Sequence, residues 1–575
     1  MMKKIVSCIV ILFLCPFLFA EDLVYKDRAL DLLVQKVPDI LDKYNSETGR
    51  FGEGVWICQD QHSMYPLAVA WATKSPRNKY YKNPALLDVI MKAGDALIQD
   101  TDKIGKWEFR KKDGSTWGPI WMPWTYSRWI RAFLLIKDEM PPERRKSWEK
   151  ALILGYSGIR ENELQHVHNI PAHHGMGLYF AGKALDKPQW SRDAGEFLFK
   201  VAQTQFDGGY WSENSGPVVS YNYVYIDALG TYYAASGDKK VLPALEKAAS
   251  FHLNFTYPGG QNIETVDQRN PYHSNVSSGN AGFTFTPVGR LYLKNQWDKY
   301  NFEKLHPDFL ASLVLFGEEG VIASPEKGES LFILRENGFS KAATFRHGPW
   351  FVCLSAYAAP IHPTRWIQDR QNFVSIYHEK TGLILGGGNT KLQPLWSNFT
   401  VGDIKFLQHK PGDINPDFYP KGDLFHIPST ATLVLNPPYG LELLYGSETC
   451  RVNVFPRDER TLEYILESAL KSSLPVSANL TLIPHLKKSL VTGKGEKFDL
   501  KNASLELSPE QIGGSITHAG WKIKPPETAT LLWPALPHNP YRKDGAAEPD
   551  EGRIVIRIPF DAKHTRHSLI FEVIN

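Results

Sequence analysis

Residues 175–202 read GMGLYFAGKALDKPQWSRDAGEFLFKVA, and the order of parts in this stretch decides the fold. An apolar segment rich in alanine and aromatic residues meets a short polar turn at 186–188, and a more charged amphipathic segment follows. A helix that is apolar almost all round must be buried on all sides. The stretch therefore predicts a helical hairpin whose first helix lies inside a ring or solenoid and whose second helix lies outside.

The same order of parts recurs along the N-terminal half of the chain. Tyr179-Phe180-Ala181-Gly182 and Tyr233-Ala234-Ala235-Ser236 lie in two apolar segments about fifty residues apart, which we predict to be helices over 175–184 and 223–235. Each segment is followed by a polar turn and an amphipathic segment. Helical hairpins repeated at this spacing form solenoids or closed rings. We therefore predict an (α/α) toroid of helical hairpins over residues 21–318.

The pattern changes near residue 320, where short alternating segments replace the helical ones. Ser330–Leu334, Trp350–Leu354 and Arg553–Ile558 are typical of strands, and turn signals such as Asn436–Gly440 separate them. No helical segment alternates with these strands, which argues against a parallel sheet. We predict an antiparallel β-sandwich over residues 319–575, and hence a multidomain α + β protein.

The first twenty residues have the features of a cleaved secretory signal. Lys3 and Lys4 precede an apolar run, and Ala20 stands before the acidic pair Glu21-Asp22. The apolar run is too short to span a membrane. We therefore predict residues 1–20 to be a signal peptide, no membrane span, and a periplasmic or secreted protein.

The overall charge argues against nucleic acid as a partner. The chain has 65 basic and 62 acidic residues, a net charge of +3, without a long run of either sign. Aromatic residues make up 12% of the chain, and exposed rings provide flat apolar surfaces for the faces of sugars. The composition suits an exported protein that binds carbohydrate.

In a ring of hairpins, the longer loops between pairs all lie at one end, and here they carry most of the polar and aromatic side chains. The turns at the other end contain little besides Lys, Asp, Pro and Gly. Helix N-termini at the first end also favour an anionic ligand. The candidate residues at this mouth are Gln59, His62, Trp124, Arg128, Asn169, His173, His174, Trp211, Glu213, Tyr221, Tyr223, Arg269 and His273.

The side chains at the predicted mouth fit β-elimination at a uronic acid better than hydrolysis. A usual glycosidase needs two carboxylates flanking the bond, and acids are few here. Elimination needs donors that neutralise the uronate, a base for the C5 proton and an acid for the departing oxygen. Asn, His and Arg serve the first purpose, and His and Tyr serve the other two when a neighbouring cation lowers the Tyr pKa. The residues predict a polysaccharide lyase, with Tyr223 and His174 as the favoured proton-transfer groups.

One loop carries a resemblance to a known group of enzymes. Asp207-Gly208-Gly209-Tyr210-Trp211-Ser212-Glu213-Asn214-Ser215-Gly216-Pro217, followed by Tyr221 and Tyr223, is similar to a loop of the toroid-plus-β-sandwich polysaccharide lyases, which include heparinase II/III-like and alginate lyases. Among such enzymes, the resemblance extends to the rhamnose–glucuronate lyases. Gly216 stands where that loop usually has Ser, and two Tyr compete for one role.

The resemblance implies roles for particular residues. One of Tyr221 and Tyr223 would be the general acid or base. Asn169 with His173 or His174 would neutralise the uronate and take part in proton transfer, although Pro171 and Ala172 separate residues that are usually adjacent. Arg346-His347 would complete the site from the β domain.

Two other functions remain open on the sequence alone. A glucuronidase or unsaturated-uronyl hydrolase on the same scaffold would use acids such as Asp60 or Asp207, since a fold does not fix a function. A noncatalytic glycan-binding protein would use the same mouth without chemistry. The His pair lacks a metal-binding pattern, so we predict neither a metal nor a cofactor.

Overall fold

The computed structural model describes residues 21–269, 278–325 and 328–574, so the predicted signal peptide lies outside the described residues. Within these ranges, eleven α-helices form the N-terminal part of the chain, and the first packs against the last to close a ring. The helices are α1 (Lys26–Leu41), α2 (Met64–Ala72), α3 (Pro84–Gln99), α4 (Pro123–Ile136), α5 (Pro142–Asn162), α6 (Asn169–Ala184), α7 (Pro188–Gln203), α8 (Val219–Ser236), α9 (Leu242–Asn254), α10 (Pro287–Lys299) and α11 (Pro307–Leu315).

The inner wall of the ring consists of α2, α4, α6, α8, a 3-10 helix at Ala281–Phe285 and α11, each in contact with the next. The inner helices are apolar, as the hairpin pattern predicts: all eight residues from Met64 to Trp71 are buried. The outer helices α3, α5, α7 and α9 show one buried face each. The predicted toroid is confirmed.

Two inner helices begin earlier than the sequence predicts. α6 begins at Asn169 rather than Gly175, because Pro171 lies in the first turn, where its missing N–H costs no hydrogen bond. α8 begins at Val219 rather than Tyr223. Asn169 and Tyr221 consequently belong to the first turns of their helices, while His174 and Tyr223 lie deeper in the helix bodies.

The C-terminal part of the chain consists of two stacked antiparallel sheets with an apolar core between them, which confirms the predicted sandwich. The first sheet comprises β7 (Ser330–Glu336), β8 (Phe339–His347), β9 (Trp350–Ser355), β10 (Val374–His378), β11 (Gly382–Leu385), β12 (Phe399–Gly402), β13 (Leu424–Phe425), β18 (Val476–Leu482), β21 (Leu505–Leu507), β24 (Thr530–Ala535) and β25 (Arg553–Phe560). The second comprises β14 (Thr430–Val434), β15 (Tyr439–Tyr445), β16 (Glu448–Pro456), β17 (Thr461–Ser468), β19 (Leu490–Thr492), β20 (Lys497–Phe498), β22 (Ile516–His518), β23 (Trp521–Lys524) and β26 (Arg566–Val573).

Three short two-stranded ribbons belong to the toroid. One of them joins the two ends of the helical segment, close to the predicted domain boundary between residues 318 and 319. The ribbons are β1 (Asp22–Leu23) with β6 (Gly320–Val321), β2 (Tyr44–Asn45) with β3 (Arg50–Phe51), and β4 (Trp107–Arg110) with β5 (Thr116–Ile120).

An apolar cluster joins the toroid to the first sheet. Phe251, Phe255 and Val266 of the toroid pack with Phe351 and Tyr377 of the sheet in one continuous buried group. Burial of this much apolar surface stabilises one fixed arrangement of the two domains. Among the described residues, no helix is both long enough and apolar enough to cross a membrane.

Candidate functional site

The first turn of α6 carries the first polar group of the candidate site. The Nδ2 atom of Asn169 donates a hydrogen bond to Oε1 of Glu213 at 2.9 Å, and the Tyr225 hydroxyl donates to the same oxygen at 3.3 Å. Glu213 thus fixes the direction of the Asn169 amide. The N–H groups of a helix's first turn lack partners within the helix, so this position favours a carboxylate ligand.

Tyr221, in the first turn of α8, is the titratable side chain at the centre of the site. The guanidinium carbon of Arg269 lies 4.8 Å from the centroid of its ring. Burial raises the pKa of Tyr221 to about 12, and the positive charge of Arg269 opposes that rise. The Nε atom of Arg269 has no hydrogen-bond partner among the described residues. The arrangement therefore offers a cation both to the phenol and to an anionic ligand.

Three aromatic rings form a wall beside Tyr221 and Arg269. The ring centroids of Trp117 and Trp366 are 5.8 Å apart, and those of Trp366 and Tyr541 are also 5.8 Å apart. Trp117 is 58% exposed and Tyr541 is 54% exposed, so a ligand can reach both side chains. Such rings are suited to stacking against the apolar faces of sugars.

Trp366 and Tyr541 were not predicted as site residues from the sequence, because both come from loops of the β domain. Each is a large aromatic residue within a polar turn, in His362-Pro363-Thr364-Arg365-Trp366 and in Asn539-Pro540-Tyr541-Arg542 respectively. A large aromatic residue within a polar turn is the sequence feature that could have indicated these two residues. Nothing in the sequence places these turns against the toroid.

A buried arginine of the β domain holds the toroid loops in place. Arg370 donates from Nη1 to the carbonyl of Val266 at 2.7 Å and from Nη2 to the carbonyl of Ser215 at 3.0 Å. Burial lowers the pKa of Arg370 to about 10, and the nearby charge of Asp267 opposes this. The two loops anchored in this way are those that carry Glu213 and Arg269.

Asp267 connects this anchor to helix α8, which carries Tyr221. One of its oxygens accepts the backbone N–H of Val219, the first residue of α8, at 2.8 Å. The other accepts the backbone N–H of Arg269 at 2.6 Å. One buried carboxylate therefore sets the positions of both α8 and the arginine that lies over Tyr221.

Three of the predicted site residues are enclosed in the protein and do not reach this cleft. The Tyr223 hydroxyl donates to Oδ1 of Asn262 at 2.6 Å, and its ring stacks on His252. His174 is 1% exposed, and burial lowers its pKa to about 3. The buried Trp211 donates from Nε1 to a backbone carbonyl and stacks on Tyr225. The early starts of α6 and α8 explain why Tyr223 and His174 point into the wall of the ring.

A second group of polar side chains lies deeper, where the inner helices face one another; we call it the lumen cluster. Asp227 follows Tyr221 by six residues on α8, which places it about 9 Å further along the helix. The cluster comprises His62 before α2, Arg128 on α4, His173 on α6, Asp227 on α8 and Asp308 on α11.

Contacts across the ring connect the lumen cluster. Nε of Arg128 lies 2.7 Å from Oδ2 of Asp308, and Nδ1 of His173 lies 3.8 Å from Oδ2 of Asp227. Burial acts to raise the pKa of Asp308, but Arg128 outweighs it and the pKa is lowered. Burial raises the pKa of Asp227. The cluster therefore contains two carboxyl groups whose pKa values are shifted in opposite directions.

The other predicted site residues take three different positions. Gln59 and Trp124 are half-buried at the end of the ring, with the Trp124 ring 6.1 Å from that of His173. Arg346 and His347 lie at the end of β8 that pairs with Trp350, whereas the site lies beyond the other end of the neighbouring strand β9, roughly 17 Å away along it. The implied role of Arg346-His347 in completing the site does not agree with this placement. His273 lies outside the described residues.

No group of three or more His, Cys, Asp or Glu that could hold a metal ion occurs within residues 21–269, 278–325 and 328–574. The donors at the cleft are amide, guanidinium and phenol groups. The chemistry available there is therefore that of hydrogen bonding, charge and proton transfer.

Neither a family model nor a curated protein matches the sequence. Solved structures do match. They include heparinase III, with 12% identity over 95% of this chain and 84% of that one at a TM-score of 0.53, and a chondroitinase AC lyase, with 10% identity over 96% and 82% at 0.50. A Paenibacillus xanthan lyase matches with 12% identity over 96% of this chain at 0.51.

The chain has the fold of these polysaccharide lyases. It spans 57% of the length of the xanthan lyase, which is a longer protein. At 10–12% identity the likeness establishes the toroid-plus-sandwich fold. A shared fold does not establish an activity, which depends on the residues of the cleft.

Replacing Arg370 tests whether the buried anchor positions the site. In Arg370→Leu, the carbonyls of Val266 and Ser215 lose their donors, and we expect a loss of roughly 3 kcal/mol of stability, seen as a lower thermal midpoint. Glycan binding should weaken as well, because the anchored loops carry Glu213 and Arg269. The matched control is Arg335→Leu, at an exposed position on β7. Equal midpoints for the two variants would show that the anchor contributes nothing.

Proposed function

We propose that the protein is a polysaccharide lyase that cleaves an acidic glycan by β-elimination at a uronic acid. The observation that carries the proposal is the position of Arg269 over the Tyr221 ring, next to the helix end that presents Asn169. The fold shared with polysaccharide lyases supports it. The substrate class is an acidic polysaccharide or oligosaccharide.

The uronate carboxylate is neutralised between the ends of α6 and α8. The amide of Asn169, held by Glu213, supplies a directed hydrogen bond, and the free N–H groups of the helix start add to it. Arg269 supplies the positive charge. Neutralising the carboxylate makes the proton on C5 more acidic, because the charge that develops on loss of that proton spreads into the carboxyl group.

Tyr221 transfers the proton from C5 to the departing glycosidic oxygen. Its phenolate oxygen removes the C5 proton, the bond between C4 and the glycosidic oxygen breaks, and a C4–C5 double bond forms. The proton then passes from the phenol to the departing oxygen, so that atoms and charges balance. Arg269 stabilises the phenolate, which is the form that burial disfavours.

We also propose that the protein acts in the periplasm or outside the cell. The support is the sequence pattern of residues 1–20, whose basic start, apolar run and small residue before Glu21 are typical of a secretory signal. An extracytoplasmic lyase would meet polymeric glycans that do not enter the cytoplasm.

Tyr221→Phe is the sharpest test of the proposed reaction. The protein should produce the ultraviolet absorbance of a conjugated C4–C5 double bond with at least one of heparan sulfate, chondroitin, alginate, xanthan or a rhamnose–glucuronate glycan. Tyr221→Phe should lose roughly 10²-fold or more of that rate, because it lacks the proton-transfer group. Tyr223→Phe serves as the matched control, two residues away on the same helix but enclosed. A wild-type rate in Tyr221→Phe would remove Tyr221 from the mechanism.

The raised pKa of Tyr221 sets the expected pH dependence. Because the phenolate is the base and its pKa in the free protein is about 12, its fraction grows about tenfold per pH unit below that value. The value of kcat/KM should rise steadily from about pH 6 to about pH 9. Arg269→Met should lower kcat/KM throughout this range, because losing the cation raises the phenol pKa further. A profile that falls with rising pH would contradict the assignment.

The lumen cluster supports a second candidate function, a hydrolase. Two carboxyl groups with oppositely shifted pKa values are the arrangement that general acid–base hydrolysis requires, and Asp227 and Asp308 provide it. The acids that the sequence suggested are engaged elsewhere. Asp60 pairs with Lys112 at 2.6 Å, and Asp207 lies on the surface, 70% exposed, beside Lys247.

Asp227→Asn separates the two candidate functions. If elimination at Tyr221 is the reaction, this variant should keep its rate within about threefold, because Asp227 lies a turn and a half below the reacting atoms. If hydrolysis is the reaction, the variant should lose roughly 10²-fold or more, and the wild type should release reducing ends without a new absorbance. Binding without either product would favour a noncatalytic glycan-binding protein.

A further inference from the structure

A cavity of about 760 Å³ is lined almost entirely by residues of the β domain. This volume falls within the range of ligand-binding pockets. Its walls come mainly from the loops at 483–488, 537–541 and 550–553 of the sandwich, and one residue of the toroid, Arg269, also lines it. The site described above uses none of these sandwich loops except for Tyr541.

The cavity is continuous with the cleft. Arg269 lines the cavity and also lies over the ring of Tyr221. Tyr541 lines it as well and forms the end of the aromatic wall next to Trp366. A chain that leaves the cleft along this wall would therefore meet residues that also line the cavity.

Two imidazoles in the cavity wall have ring nitrogens that lack partners among the described residues. They are Nε2 of His485 and Nε2 of His538, and His538 is 3% exposed. A buried polar atom without a partner costs free energy. Burial lowers the pKa of His538 to about 4, so its ring is neutral at physiological pH and can hydrogen-bond to an uncharged hydroxyl group.

The rim of the cavity is positively charged. Lys487 and Lys488 are exposed there, and neither ammonium forms an ion pair with a described residue. One of the two acids of the lining, Glu551, accepts a hydrogen bond from Asn539 at 2.9 Å. With Arg269 at the inner end and two lysines at the outer end, an anionic chain is favoured over a neutral one.

We propose that this cavity binds the stretch of acidic glycan that continues beyond the cleaved linkage. Sugar hydroxyls would bond to His485 and His538, and acidic groups would lie on Lys487 and Lys488. The inference rests on the proposed function and adds a consequence: the protein should prefer long acidic chains to short ones.

The test measures binding against chain length. The Tyr221→Phe protein is titrated by calorimetry with oligosaccharides of increasing length. They are prepared from the acidic polymer that the wild-type protein cleaves, or from heparan sulfate and chondroitin if it cleaves none. Adding Lys487→Ala and Lys488→Ala should weaken binding of the longest oligosaccharides about tenfold, equivalent to roughly 1.4 kcal/mol, and the loss should shrink at high salt. Binding of the shortest oligosaccharides should not change. Lys494→Ala with Lys497→Ala, on the exposed hairpin of β19 and β20, is the matched control.

Two results would overturn the inference. If the lysine substitutions weaken binding of long and short oligosaccharides equally, the lysines act at the reacting centre. If the substitutions do not weaken binding at all, the cavity does not bind the glycan. These results are distinct from failure of the proposed function, which would appear as wild-type protein that forms no unsaturated product from any polymer. As a second variant, His538→Phe should weaken only long-chain binding while circular dichroism confirms that the β domain is folded.

Discussion

The buried contact of Arg370 with two toroid loops is the constraint on which the rest of the site depends. An arginine side chain without access to water is costly unless its donors find acceptors, and here the two terminal nitrogens bind the carbonyls of Val266 and Ser215. Because the acceptors belong to the toroid and the donor to the sandwich, the two domains can satisfy these groups in only one relative position. That position brings Trp366 and Tyr541 next to Tyr221 and Arg269.

The site that results separates two kinds of charge. At the mouth, Arg269 presents a positive charge and a side-chain Nε atom without a partner among the described residues, and the first turn of α6 adds its N–H groups, which suits an acidic sugar. Deeper in the ring, Arg128 and Asp308 neutralise one another, and Asp227 is biased towards its neutral form. The cation at the mouth, beside Tyr221, is why elimination there is the leading proposal.

The sequence predicts the fold well, because hairpin order and strand alternation are local patterns. Asn169, Tyr221 and Arg269 could also be placed at one end of the ring from that order alone. The choice between Tyr221 and Tyr223 could not, since it depends on where α8 begins, and that start is set by Asp267, nearly fifty residues further on. Arg128 was indicated as a binding residue, but its partner Asp308 lies 180 residues away and leaves no local signal. The distance of Arg346 and His347 from the site could not be predicted, because strand alternation does not show which end of β8 lies nearer to the cleft.

A crystal structure of Tyr221→Phe with a uronate oligosaccharide is the most direct test of the proposed elimination. We expect the uronate carboxylate between the Asn169 amide and the Arg269 guanidinium, with the C5 hydrogen facing the ring at position 221. We also expect a neighbouring sugar against Trp366 or Tyr541. A uronate bound instead in the lumen cluster beside Asp227 would contradict the proposed reaction at Tyr221.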